Sequence, residues 1–176
     1  MTDLRYPIGH FTSPEEITED IKQKWIQTLE DFPLRLENLV KDLSEEQLET
    51  PYRDGGWTVR QVVHHCADSH HNSYIRFKWA LTEENPLIKA YNEADWAELF
   101  DTKTGPINMS ILHLKAVHAK LVYLLRGLSD SDLKKTFIHP ESKEAVLLLV
   151  NIGIYAWHCN HHYAHIEHLL IRKGWK

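Results

Sequence analysis

The chain is 176 residues long, 43% hydrophobic and 26% charged, the composition of one soluble globular domain with a sizeable core. Its 20 basic residues stand against 25 acidic ones, a net charge of −5. That balance lacks the basic face a nucleic-acid binder needs, and no Lys/Arg cluster suits docking on an anionic membrane. The two cysteines, Cys66 and Cys159, make no disulfide framework, so a cytoplasmic protein is expected.

The opening stretch, Met1 to Phe11, mixes Asp3, Arg5, Pro7 and His10 and does not read as a signal peptide. Ser13-Pro14-Glu15-Glu16 predicts a helix start: Ser13 caps, Pro14 suits the first turn and Glu16 completes a capping box. Apolar residues recur at Ile17, Ile21, Trp25, Ile26 and Leu29. Pro33 predicts a kink or break before the stripe resumes at Leu36, Leu39, Val40 and Leu43. Thr50 to Gly56 reads as a loop. Thr58 and Gln61 form a second capping box, opening a helix through about Leu81 with Val59, Val62, Val63, Cys66, Tyr74 and Phe77 on its inner side.

Thr82 to Pro106 is a long connection with a short helix around Asp95 to Phe100; connections of that length are usually functional or mobile. A third helix runs from about Ser110 to Leu128, and Ser129 and Asp132 bracket a brief helical turn. The last helix runs from about Lys143 to Arg172 and stops before Gly174. No strand alternation of useful length appears, and no apolar stretch is long enough to span a bilayer. Four long amphipathic helices imply an all-α four-helix bundle with long connecting loops, one domain over residues 1–176.

Histidine is the unusual residue. There are 13, four of them between His64 and His71 and five between His158 and His168. Two imidazoles four apart on a helix are close enough to share one ion, and the last helix offers His158/His162 and His161/His165. Its apolar stripe passes through Ala145, Leu149, Ile152, Ala156, Cys159, Tyr163, Ile166 and Leu170. At about 100° per residue, His162 and His158 lie on the flank of that stripe and His165 further round, with His161 and His168 towards solvent. A bundle site wants a further ligand from a facing helix. Here His64, His65, His70 and His71 all stand as candidates, and periodicity alone leans towards His70. His113 and His118 are singletons and read as structural. Packing suits both cysteines better than ligation, and Trp57, Tyr155 and Trp157 read as core or pocket wall. The sequence has no GxSxG, glycine-rich phosphate loop, HExxH or CxxC.

The chain resembles the DinB-like superfamily and, within it, the YfiT-type metal-dependent hydrolases. The resemblance rests on Leu4-Arg5-Tyr6-Pro7-Ile8-Gly9, on Gly55 to His65 (GGWTVRQVVHH), on Asn72 to Lys78, and on Tyr155-Ala156-Trp157-His158 with His161-His162 and Ala164-His165-Ile166. It implies three histidines around one divalent ion: His65, eight residues after Trp57, and an HxxxH on the last helix, His158 and His162. It also implies a cytoplasmic homodimer, with relatives that transfer low-molecular-weight thiols such as bacillithiol.

Three neutral imidazoles leave open positions on an ion, the mark of a catalytic site. Such ligands suit zinc, nickel, copper or iron, with availability favouring zinc and nickel the alternative. The first expectation is therefore a hydrolase acting on a small molecule through ion-bound water, with Asp68, one turn after His65, as a candidate base. A metal-dependent thiol S-transferase is the second reading, with the Thr82–Pro106 connection covering the site through Lys89, Tyr91 and Trp96. A non-enzymatic metal-binding stress protein is the third.

Overall fold

Capping chemistry and apolar periodicity place most of the helices. The computed structural model describes residues 3–176. In chain order the elements are α1 (Glu19–Val40), α2 (Glu45–Leu48), α3 (Val59–Thr82), α4 (Glu93–Ala97), α5 (Phe100–Thr104), α6 (Ile107–Arg126), α7 (Asp130–Leu133), β1 (Thr136–Ile138), β2 (Ala145–Leu147) and α8 (Leu148–Lys173). Thr58 caps α3 and Ser129 caps α7, each in a full capping box, and Gly174 ends α8 in the left-handed conformation a side chain resists.

The long helices α1, α3, α6 and α8 form the bundle. Its principal packing pairs are α1 with α6, α6 with α3, α3 with α8 and α8 with α1. Successive long helices, α1/α3 and α6/α8, therefore stand diagonally across the core. That core holds Ile26, Leu29, Phe32, Leu36, Val63, Phe77, Leu114, Leu121, Ile152 and Ile166 at almost zero exposure, each contributing about 1.5–3 kcal/mol of burial. A Cβ on Gly153 of α8 would stand 2.7 Å from the Trp25 ring on α1, so glycine there sets how closely those helices approach.

Several boundaries differ from the sequence expectation. Ser13–Glu16 is not helical; α1 starts at Thr18, whose hydroxyl accepts from Ile21 N–H, with Glu19 and Asp20 in the favourable first turn. Residues 13, 15 and 16 are exposed, so a turn there would have no face to bury. Pro33 does not end α1, which continues through it. The third long helix begins three residues before Ser110. Ala145–Leu147, expected within the last helix, pair instead with Thr136–Ile138 in a short antiparallel hairpin, Val146 opposite the buried Phe137. The long connection carries two short helices rather than one, and Ile138 anchors it through bonds to Pro86 O and from Ile88 N–H. Among the described residues no helix is long and apolar enough to cross a membrane.

Candidate metal centre

His65 on α3 and His158 and His162 on α8 turn towards one another across the α3/α8 seam. The Nε2 atoms of His65 and His158 lie 3.2 Å apart, and the His162 ring centroid is 4.8 Å from that of His65 and 4.4 Å from that of His158. One nitrogen from each ring falls within 4.8 Å of the other two. Two nitrogens each about 2.0–2.1 Å from a tetrahedral ion stand about 3.3 Å apart, so the donor set fits a single small divalent cation.

The opposite nitrogens show where the ring protons sit. The Leu29 carbonyl can only accept, so His118 Nδ1–H donates to it. His118 Nε2 then accepts from His70 Nδ1–H at 2.9 Å, and His70 Nε2 accepts from His158 Nδ1–H at 3.1 Å. With neutral rings, this leaves the His158 lone pair on Nε2, facing His65. A shorter chain treats His162 in the same way. His165 Nε2–H donates to Arg5 O at 3.1 Å, and His165 Nδ1 accepts from His162 Nδ1–H at 3.3 Å, so the His162 lone pair also sits on Nε2. Such outer hydrogen bonds fix tautomer and ring orientation at metal centres.

The Leu29 carbonyl is available for a physical reason. Leu29 precedes Pro33 by four residues, and the N–H that would have bonded it in an α-helix is the one proline lacks. His118 from α6 takes the vacated acceptor.

Burial holds these rings neutral, because a desolvated imidazolium is costly. It brings His65 down to about 3, with His161 and His165 adding to the effect. His118 falls to about 4 despite its bond to Leu29 O. His70, His158 and His162 fall well below the ordinary imidazole value, first through burial and then through neighbouring rings.

The three rings form the floor of a cavity of about 560 Å³ walled by Trp57, Tyr155 and Trp157. The N-terminal segment closes one side: Arg5 and Tyr6 line the cavity, and Trp157 Nε1–H donates to Gly9 O at 3.2 Å. The long connection reaches it through Tyr91, Glu93 and Ala94. Trp96 packs against Tyr91 with ring centroids 4.6 Å apart and tilted by 50°, outside the lining, and Lys89 is also outside it.

Residues 28–166 match the DinB superfamily. The chain belongs to the DinB superfamily. Over 175 residues it is 57% identical to a Bacillus mycoides (strain KBAB4) protein and to one from Bacillus cereus (strain ATCC 10987 / NRS 248), each named "Putative metal-dependent hydrolase", with 99% of this chain and 100% of each relative covered. Among solved structures, Bacillus subtilis YfiT superposes with a TM-score of 0.96 at 51% identity, covering 98% of this chain and 99% of that one. It is described as "a probable metal-dependent hydrolase with an unusual four-helix bundle topology".

In this DinB-superfamily chain a second group, His70, His118 and Cys159, also lies within metal-ligand reach. Its chemistry is that of a support. Both nitrogens of His70 and of His118 are already engaged, and burial pushes the Cys159 thiol well up, away from the thiolate a metal needs. Cys66 is likewise buried, and both cysteines are free.

Asp68 lies outside the cavity lining. Its carboxyl is raised to about 6, first by burial and then by Asp101, with His71 opposing. The carboxylate that does line the cavity is Glu93. His161, expected to face solvent, is only 7% exposed: Trp157 stacks on it at 4.4 Å and Tyr6 lies 5.8 Å away. The N-terminal segment folded over α8 buries it, a long-range contact no helical wheel displays. His168 is half-buried, and His64 is tied to Ser110 and Gly105 on the other side of α3. His113 pairs with His71 at the surface, 2.9 Å apart. His118, read as structural, supports the centre through the four-helix chain.

Proposed function

We propose that this protein is a metal-dependent hydrolase holding one divalent ion, zinc in the cell, on His65, His158 and His162. One observation carries the reading: imidazoles from two helices converge on a cavity floor, and hydrogen bonds on the far nitrogens of His158 and His162 keep their lone pairs turned inward. When bound, the ion supplies a Lewis acid and a water acidic enough to lose a proton near neutral pH. The chain's own groups supply the rest. None of the three donors is anionic, so the positive charge of the centre stays undiminished. Trp57, Tyr155 and Trp157 limit water around the substrate. Glu93 is the wall carboxylate available to move a proton.

The test is elemental analysis of the wild type beside His158→Ala, followed by turnover of an ester panel with and without added small thiol. We expect about one ion per chain in the wild type and little in the variant, which keeps two of three donors. Metal-dependent turnover without thiol is the expected result. Equal metal in both proteins would overturn the donor set, and turnover only with thiol would replace hydrolysis by thiol transfer.

A further inference from the structure

Among the described residues, three buried side-chain nitrogens have no hydrogen-bond partner: Arg53 Nε, Arg76 Nε and His161 Nδ1. All three belong to residues lining the cavity above the histidine centre. Buried polar groups are almost always satisfied in folded proteins, and the two Arg Nε–H groups can only donate, so these exceptions around one cavity call for a ligand that brings acceptors.

The two arginines are engaged in the same way. Arg76 Nη1 donates to Tyr155 Oη at 3.4 Å and Arg53 Nη1 to Asp54 O at 2.8 Å. Each guanidinium thus keeps its Nε–Nη2 edge free, the edge that pairs side-on with a carboxylate or phosphate through two parallel bonds. No carboxylate lies within 4.0 Å of either guanidinium among the described residues, whereas Arg60 and Arg126 have acidic partners. The wall is cationic in an acidic chain: Arg5, Arg53 and Arg76 face it against Glu93 alone.

The two edges lie towards opposite ends of the cavity. Arg76 bonds Tyr155, while Arg53 lies over Tyr52, which stacks on His165 at 4.0 Å. Tyr155 and His165 are ten residues apart on α8, about 15 Å along the axis, with His158 and His162 between them.

We propose that the substrate is an oxyanion-bearing molecule, its carboxylate or phosphate groups seated on the Nε–Nη2 edges of Arg76 and Arg53 on either side of the histidine centre. A small rotation of each guanidinium presents the edge to the ligand. This substrate class rests on the hydrolase reading, whereas the anion seats stand independently of it.

The test is calorimetric titration of the metal-loaded full-length protein with nonanedioate and, separately, with inorganic phosphate. Saturable binding of either probe is expected, weakened about tenfold or more by Arg76→Gln and by Arg53→Gln. Arg76→Lys, which keeps the charge but loses the fork, should weaken it comparably, while Arg126→Gln at the surface changes nothing. The tighter probe assigns the oxyanion as carboxylate or phosphate, and either supports the proposal. His158→Ala should lose metal yet still bind the anion, which separates a failure of the metal reading from a failure of this one. Circular dichroism melting verifies that each variant is folded. Absence of saturable binding to folded wild type, or binding indifferent to both arginines, overturns the proposal.

Discussion

His118 is 1% exposed and lines no part of the active cavity, yet it governs the proton on a ring two hydrogen bonds away. Replaced by phenylalanine, it would no longer bond Leu29 O or accept from His70 Nδ1–H. His70 would then be free to adopt either tautomer, and His158 Nδ1–H would lose its assured acceptor. We expect His118→Phe to fold, retain its capacity for about one ion per chain, and bind zinc about 10- to 100-fold more weakly, as changes behind metal ligands typically do. Competition against a chromophoric chelator measures this, and unchanged affinity would reduce His118 to a packing residue. Histidines four apart on one helix announce themselves in a sequence, so His158 and His162 were legible. A singleton whose hydrogen-bond partners lie on two other helices is not, and periodicity leans towards His70 over His65 because it reports burial and not which nitrogen faces the cavity.

At the level of the element, α1 contains the clearest departure from local rules. Proline inside a helix costs about 3 kcal/mol relative to alanine, yet α1 runs on through Pro33. Its missing N–H leaves open the carbonyl that anchors the histidine chain, and His118 compensates part of the cost. Pro33→Ala would restore an N–H that competes for Leu29 O. We expect the variant to keep its fold while zinc affinity falls about two- to tenfold, the mild end of such effects, because a carbonyl can accept two bonds. A rise in melting temperature with affinity unchanged would mean Pro33 is only tolerated. Elements were otherwise legible where the signal was local: the Thr58/Gln61 and Ser129/Asp132 boxes both form. Ser13 caps no helix because a cap stabilises only a helix with a face to bury, and the β1–β2 hairpin leaves no local signal because a three-residue strand owes its existence to its partner.

For the whole molecule, helix order and site are one design. The histidine chain passes from α8 to α3, from α3 to α6 and from α6 to α1, and each step joins helices that pack as neighbours. In a simple up-and-down bundle with sequential neighbours, α8/α3 and α6/α1 would be diagonal and two of the three steps would be out of reach. Periodicity gives each helix its buried face but not the identity of its neighbour, so this order was not legible.

Burying so many imidazoles also ties folding to pH. His118, His161 and His165 are held to about 4 and His65 to about 3, chiefly by burial, whereas the unfolded chain protonates histidine near its ordinary value of about 6.5. Between pH 6.5 and 4 the unfolded state therefore binds more protons, so stability is full above about 6.5 and is lost as pH falls through that window. At about 1.4 kcal/mol per pH unit, His118 alone accounts for about 3 kcal/mol. Asp68 works in the opposite sense. Its carboxyl, raised to about 6, is protonated in the fold where the unfolded chain is ionised, so its contribution is lost as pH rises from about 4 to 6. One carboxyl against four imidazoles does not reverse the slope. Urea midpoints of the metal-free protein should therefore fall steadily from pH 7 to pH 4.5, and His118→Phe should flatten the curve. The metal-loaded protein should fall more steeply still, because protons compete with the ion for the proposed donors His65, His158 and His162. A midpoint flat across that range would mean that the rings are already charged or hydrated in the folded chain, and that the proton order drawn from their hydrogen bonds is wrong.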